Sequence, residues 1–416
     1  MRFNYSEIFA KPNQAVKTYL LPHLISETFS PALVGEYVKK AQEKISNIIC
    51  CFSCRFALCK NLIVVMTVFL HCFLSGAEYE VIVLGDPIMD LIYFVSDQAL
   101  AEINVQKGSW NPVSREQFQD IRNLLGDPAK ILTGGSGCNV AQGLSKLGLS
   151  CAVIGKIGND REAKVYEDFM ARHQIRCLFQ KRNLPTGQAC CFVTSDGERS
   201  FCTHLGAGLN KDPILIDDAT LKQAQLLHME GYQLLNKENA RDIMVQAKKC
   251  GLAISLDLAN VRIVKELNDF IWQLLRERWI DILFANQMEA EAFTGLPPKE
   301  ACFEMSKHCR YAIVTMNDKG SFGMGRMLEE PVHVSAVAAK AVDSTGAGDY
   351  FSGGTLYGIL QGMALEEAMK IGSLVASFVV GEIGAEIPGR KWKDIKDFLW
   401  AFSSQRQNRQ TFRVSP

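Results

Sequence analysis

The stretch AVDSTGAGDYFSGG, residues 341–354, decides how the rest of this 416-residue chain is read. It packs four glycines and two aspartates into fourteen positions, yet Thr355 to Met363 continue it as a helix. The first turn of a helix leaves backbone N–H groups unpaired, and the helix dipole adds positive potential there. Glycine lets such a backbone approach a ligand closely, so Gly346-Ala347-Gly348 can form an anion hole for phosphate oxygens. Asp349 then stands where a carboxylate can take a proton from a hydroxyl attacking that phosphate. The plainer alternative makes Asp349 a first-turn acid and the glycines a device for close helix packing.

Two further stretches bear on the choice. TGGSGCNVAQGLSKLG (133–148) is a second glycine-rich turn, feeding a helix with Val140, Leu144 and Leu147 on one face. Val140 stands where a dinucleotide fingerprint would have its last glycine, and no glycine-rich loop ends in Gly-Lys-Ser/Thr. A nucleotide here is therefore held without the P-loop lysine. In ANQMEAEAF (285–293), Asn286 and Glu289 have the spacing of a helix N-cap with its reciprocal acid. The same pair suits the hydration shell of a magnesium ion on ATP phosphates, and spacing alone leaves both readings open.

Charge and composition narrow the classes. Forty-five basic residues balance forty-five acidic ones, which speaks against bulk nucleic-acid binding, since that needs a basic face. Fourteen cysteines are placed irregularly, five of them before residue 78, which fits reduced, buried thiols in a cytoplasmic protein better than a disulfide scaffold. Cys51-x-x-Cys54 has no second pair and falls short of a zinc site. Residues 1–77 read as an N-terminal extension, either a leader or an over-extended start, with Met66 just upstream of the first strand. Its apolar run Leu62 to Leu74 contains Thr67 and His71 and is short of the roughly 20 residues that span a bilayer, so membrane contact is a minor expectation.

From residue 80 a rhythm sets in. Apolar runs at 81–85, 151–155, 253–257, 281–285 and 311–315 alternate with helical stretches at 139–147, 161–172, 237–249, 264–277 and 287–309. Such alternation predicts an α/β fold with a mostly parallel sheet covered on both faces. Residues 91–107 and 188–205 break the rhythm and read as a small separate β-sheet, the latter a hairpin about Ser195-Asp196-Gly197. Helices are expected at 365–381 and 392–401, and 404–416 as a loose polar tail.

Together the glycine turns at 134–148 and 343–349 and the Asn286-x-x-Glu289 pair resemble the two signatures and the Asn-x-x-Glu motif of the ribokinase family, the PfkB carbohydrate kinases. GDPIMD (85–90), KGSW (107–110), PTGQACCFVTSDGERSFCTHLGAG (185–208), DILFANQMEAEAFTG (281–295) and VVGEIGAEIPG (379–389) are similar to its adenosine-kinase-like branch. The resemblance covers roughly 80–390. It implies a ribokinase-like three-layer sandwich over 78–403 with the small sheet as a lid.

It also implies an ATP-dependent kinase acting on a primary hydroxyl of a nucleoside or related sugar. Asp349 would be the base, and Gly346, Ala347 and Gly348 the phosphoryl cradle. Asp90, Gly134, Gly135 and Asn139 would bind the acceptor. Asn286, Thr315, Gly320, Gly346 and Gly348 would contact ATP, with Glu289 on Mg²⁺ through water. Asp343 would lie beside a monovalent cation such as K⁺. Two departures stand out: Thr315-Met316-Asn317 replaces the usual Thr-x-Gly, and Asp343-Ser344-Thr345 replaces Asp-Thr-x. Asparagine tolerates left-handed backbone, so the first turn can survive. Phe192, Phe201 and Trp110 are candidates for an aromatic slot that would take a purine. The alternatives are a non-nucleoside sugar kinase, acting on ribose, fructose or a keto-deoxy sugar acid, and a non-catalytic ligand-binding relative. A homodimer is left open.

Overall fold

The computed structural model describes residues 79–399; the expected extension at 1–77 and the tail at 404–416 lie outside the described residues. A nine-stranded sheet runs in the order Val332–Val334, Ser321–Gly325, Tyr311–Thr315, Ile282–Asn286, Ala253–Asp257, Leu226–Glu230, Val81–Leu84, Cys151–Ile154 and Ile175–Cys177. The last seven of these are mutually parallel, and the first two add an antiparallel hairpin at one edge.

The layering follows from the side-chain alternation of a strand. Val81 and Val83 pack with Val140 and Leu144 of helix Ser136–Leu147 and with Tyr166 and Met170 of helix Arg161–Arg172. Ile82 and Leu84 point the other way, into a core with Met244 of helix Lys237–Lys249 and Ile271 of helix Val261–Arg276. The sheet is thus buried on both faces, as a parallel sheet has to be.

A second sheet of five strands has the order Trp110–Pro112, Arg199–His204, Gly187–Val193, Ile88–Phe94 and Lys130–Gly134. The hairpin about Gly197, whose φ is +81°, forms where it was expected. The other lid segment is corrected. Its strand starts at Ile88, gives way at Ser96, which caps the short helix Asp97–Glu102, and is joined by Lys130–Gly134. Residues 287–309 also differ from expectation, forming two helices, Gln287–Thr294 and Pro298–Ser306. Gly295, in left-handed conformation, ends the first, and Pro298 opens the second at the position where a missing N–H costs nothing.

The glycines around helix Ala347–Leu360 do different structural work. Gly354 and Gly358 are packing glycines: a Cβ at either would press on Gly372 or Ala368 of helix Leu365–Val379. Gly346 is different. It caps helix Ala347–Leu360 with φ +75°, a backbone region open to glycine and costly for other residues.

Candidate active site

Parallel strands deliver their C-terminal residues to one edge of a sheet, where α/β proteins bind ligands. Here Thr315, Asn286, Asp257 and Glu230, each the last residue of its strand, line a cavity of about 420 Å³. The small sheet forms another wall with Ile88, Asp90, Ala189, Arg199, Phe201 and Thr203, and the glycine turns supply Gly135, Ser136, Asn139, Gly346, Gly348 and Asp349. The aromatic candidates divide. Trp110 and Phe201 line the cavity, whereas Phe192 is fully buried in the core beneath the lid sheet. Tyr232, absent from the sequence reading, lines the cavity with its ring centroid 4.9 Å from that of Trp110.

Asp349 is held from two sides. Ser136 donates to Oδ1 at 2.6 Å and Asn139 to Oδ2 at 2.8 Å. Both donors come from the start of helix Ser136–Leu147, so the two glycine turns meet at one carboxylate. Burial raises the pKa of Asp349 above the usual carboxylate value, and these two hydrogen bonds counter that in part. A Cβ at Gly348 would meet nothing within 4 Å, and Gly348 lines the cavity.

Asp90 sits in the lid strand Ile88–Phe94, opposite Leu132 and Ala189. Burial pushes its pKa up to about 7, against the pull of Arg199. Gly134 is required beside it, because a Cβ there would overlap the Asp90 carboxylate. Gly135, at φ +91°, begins the helix that carries Asn139.

Asn286 and Glu289 form the full capping box: Asn286 Oδ1 accepts from the Glu289 N–H at 2.9 Å, and Glu289 Oε2 accepts from the Asn286 N–H at 2.8 Å. Glu289 is 4% exposed, and burial together with the charge of Asp257 pushes its pKa up to about 8. Asp257 itself rises to about 6 through burial, and accepts from Ser352 at 3.1 Å. Among the described residues no three acidic, His or Cys side chains converge closely enough to grip a metal directly. Hard carboxylate oxygens facing a polar cavity do fit a magnesium ion reached through water.

The turn after Tyr311–Thr315 survives its departure from the family pattern. Asn317 adopts φ +52°, and Gly320 at φ +90° sits where a side chain would collide with the Val334 carbonyl. Asp343, expected beside a monovalent cation, is paired instead with the guanidinium of Arg199. Its Oδ1 accepts from the Thr345 N–H at 2.9 Å and its Oδ2 from the Gly384 N–H. The sequence reading missed Arg199, Asp257 and Glu230. The signal for Arg199 was a charged residue opening the second strand of the hairpin.

Glycine N–H groups at a helix start, a carboxylate held behind them and a small sheet as one wall form an arrangement that can accommodate phosphoryl transfer to a small hydroxylated molecule. The model of the pfkB family of carbohydrate kinases matches residues 115–392, and the chain belongs to that family and is a kinase. A probable sugar kinase from Rhizobium etli CFN 42 superposes with a TM-score of 0.73 at 28% identity, covering 77% of this chain and 98% of that one. The adenosine kinase from Sinorhizobium meliloti gives 0.70 at 31% identity, covering 74% and 96%. A ribokinase of Arabidopsis thaliana is 29% identical over 282 residues, 62% of this chain and 70% of its own. Among the described residues no helix is long and apolar enough to cross a membrane.

Proposed function

We propose that this kinase transfers the terminal phosphoryl group of ATP to the primary hydroxyl of a nucleoside. The observation that carries the reading is the Asp349 carboxylate, fixed by Ser136 and Asn139 directly behind Gly346-Ala347-Gly348. A carboxylate whose pKa is raised by burial is a better proton acceptor than a free one, and its two donors aim it. The helix N-terminus stabilises charge that develops on the phosphoryl oxygens. Thr315 and Asn286 border the ATP side of the cavity, and the Asn317–Gly320 turn follows just after Thr315. Magnesium, held through water by Glu289, would neutralise the phosphates.

Asp90 accepts hydroxyls of the acceptor sugar, with Gly134, Gly135 and Asn139 around it. Trp110, Phe201 and Tyr232 give the cavity aromatic surface suited to a planar base, and the likeness to an adenosine kinase supports the same acceptor. The lid sheet excludes water and so protects ATP from hydrolysis. A panel of ribonucleosides, 2′-deoxynucleosides and free sugars with ATP, read by ADP release, tests the reading. A ribonucleoside should be the best substrate and its 2′-deoxy analogue far poorer, since a site built around a hydroxyl rejects analogues lacking it by up to ~10⁴–10⁵. Ribose, fructose or a sugar acid as best acceptor, with nucleosides inert, would overturn the choice of acceptor and leave the kinase in place.

A further inference from the structure

The monovalent cation that the family pattern suggests at Asp343 meets a carboxylate already taken. Asp343 is 2% exposed and Arg199 5%, so their ion pair is shielded from water. Both oxygens of Asp343 have partners: the Thr345 N–H on one, the Gly384 N–H and the Arg199 guanidinium on the other. The Asp343 loop is also tied to the end of helix Leu365–Val379, because the Val342 and Asp343 N–H groups both donate to the Val380 carbonyl, at 2.7 and 3.1 Å. An added metal ion would have to displace the buried Arg199 guanidinium from the carboxylate it is paired with.

Arg199 belongs to the lid hairpin, not to the sheet that carries the anion hole. The lid touches the same loops elsewhere. Lys130 donates to the Ile383 carbonyl at 3.4 Å, a Cβ on Gly384 would strike Leu132, and one on Gly197 would lie 3.4 Å from the Val342 carbonyl. The loop that Asp343 organises leads within three residues to Gly346.

We infer that Arg199 does in this chain the work of a monovalent cation: its guanidinium, seated on Asp343, fixes the loop that forms the anion hole, so the kinase runs without K⁺. Arg199 is a positioning residue acting through Asp343. Because it rides on the lid, the anion hole is complete only when the hairpin is seated. The inference rests on the kinase reading, and not on the choice of acceptor.

The test compares KCl with tetramethylammonium chloride at equal ionic strength. Wild-type turnover should change less than about twofold, and the melting temperature of the ligand-free protein should be the same in both salts. Arg199→Ala should lose turnover, and should recover part of it on addition of K⁺ or guanidinium ion. Arg199→Lys, which keeps the charge, should fall between. The inference is overturned if wild-type turnover rises tenfold or more in KCl, if KCl raises its melting temperature, or if Arg199→Ala turns over like wild type. The wild-type salt comparison decides the matter even if the alanine variant does not fold. Absence of any ATP-dependent turnover, with melting temperatures independent of K⁺, would sink the kinase reading and leave the Arg199 seat standing.

Discussion

Replacing Asp349 by asparagine isolates the proton-accepting role from everything else that residue does. The amide is the same shape as the carboxylate and can keep both neighbours. Its oxygen accepts from Asn139, as Oδ2 does now at 2.8 Å, while its NH₂ donates to Ser136, whose hydroxyl turns round. At worst one hydrogen bond of about 0.5–1.5 kcal/mol is weakened. That loss is offset because the native carboxylate is costly to bury. Burial raises its folded-state pKa above the unfolded one, so its contribution favours folding at low pH and is lost as pH rises through the folded value. At pH 8 the variant should therefore melt no lower than wild type.

Catalysis should respond otherwise. Losing a positioned base is worth ~10²–10⁴ in rate, or about 2.7–5.4 kcal/mol of barrier. The assay is ADP release at saturating ATP and acceptor, with calorimetric binding of both as control. Turnover within about tenfold of wild type, with intact binding, would refute the assignment and make Asp349 a structural acid.

Other perturbations separate the remaining roles. Gly346→Ala meets both a left-handed backbone and the Ala385 Cβ at 2.7 Å, so it should lower the melting temperature and abolish most activity; Gly348→Ala, with nothing within 4 Å, should melt like wild type and weaken ATP binding. Asp90 at about 7, Asp257 at about 6 and Glu230 and Glu289 at about 8 all lie above their unfolded values. Thermal scans of the ligand-free protein should show stability falling as pH climbs from about 5 to 8.5, and a rise over that range would contradict the burial of these groups. Asn317→Gly should leave ATP affinity unchanged or improved, while Asn317→Val should weaken it, because φ +52° resists a β-branched side chain; equal affinities for the two variants would mean the turn does not contact the nucleotide.

How much of this could be read from the chain depended on how local each signal was. The glycine turns announce themselves because a left-handed cap such as Gly346 and a close approach such as Gly134 next to Asp90 demand glycine within a few residues. The strands Val81–Leu84 and Cys151–Ile154 are buried on both faces and so are uninterrupted apolar runs. Leu226–Glu230 escaped because His228 and Glu230 interrupt its run. Both are buried in the fold, His228 against the Ser255 hydroxyl and Glu230 beneath the N–H groups of Asp86 and Gly137, partners far away in sequence. The break between the two helices at 287–306 was legible in Gly295-Leu296-Pro297-Pro298, whereas the join between Arg199 and Asp343 exists only once the lid is folded against the loop.

The buried carboxylate at Glu289 has a thermodynamic signature of its own. Burial and the charge of Asp257 raise its pKa, so in the ligand-free protein it keeps its proton to higher pH than a free glutamate. If magnesium-bound nucleotide requires the ionised form, that proton must leave as the nucleotide arrives. The heat of binding would then contain the ionisation heat of whatever buffer accepts the proton. Titrations in buffers of contrasting ionisation enthalpy would diverge at pH 7 and converge above about 9, where no proton remains to be released.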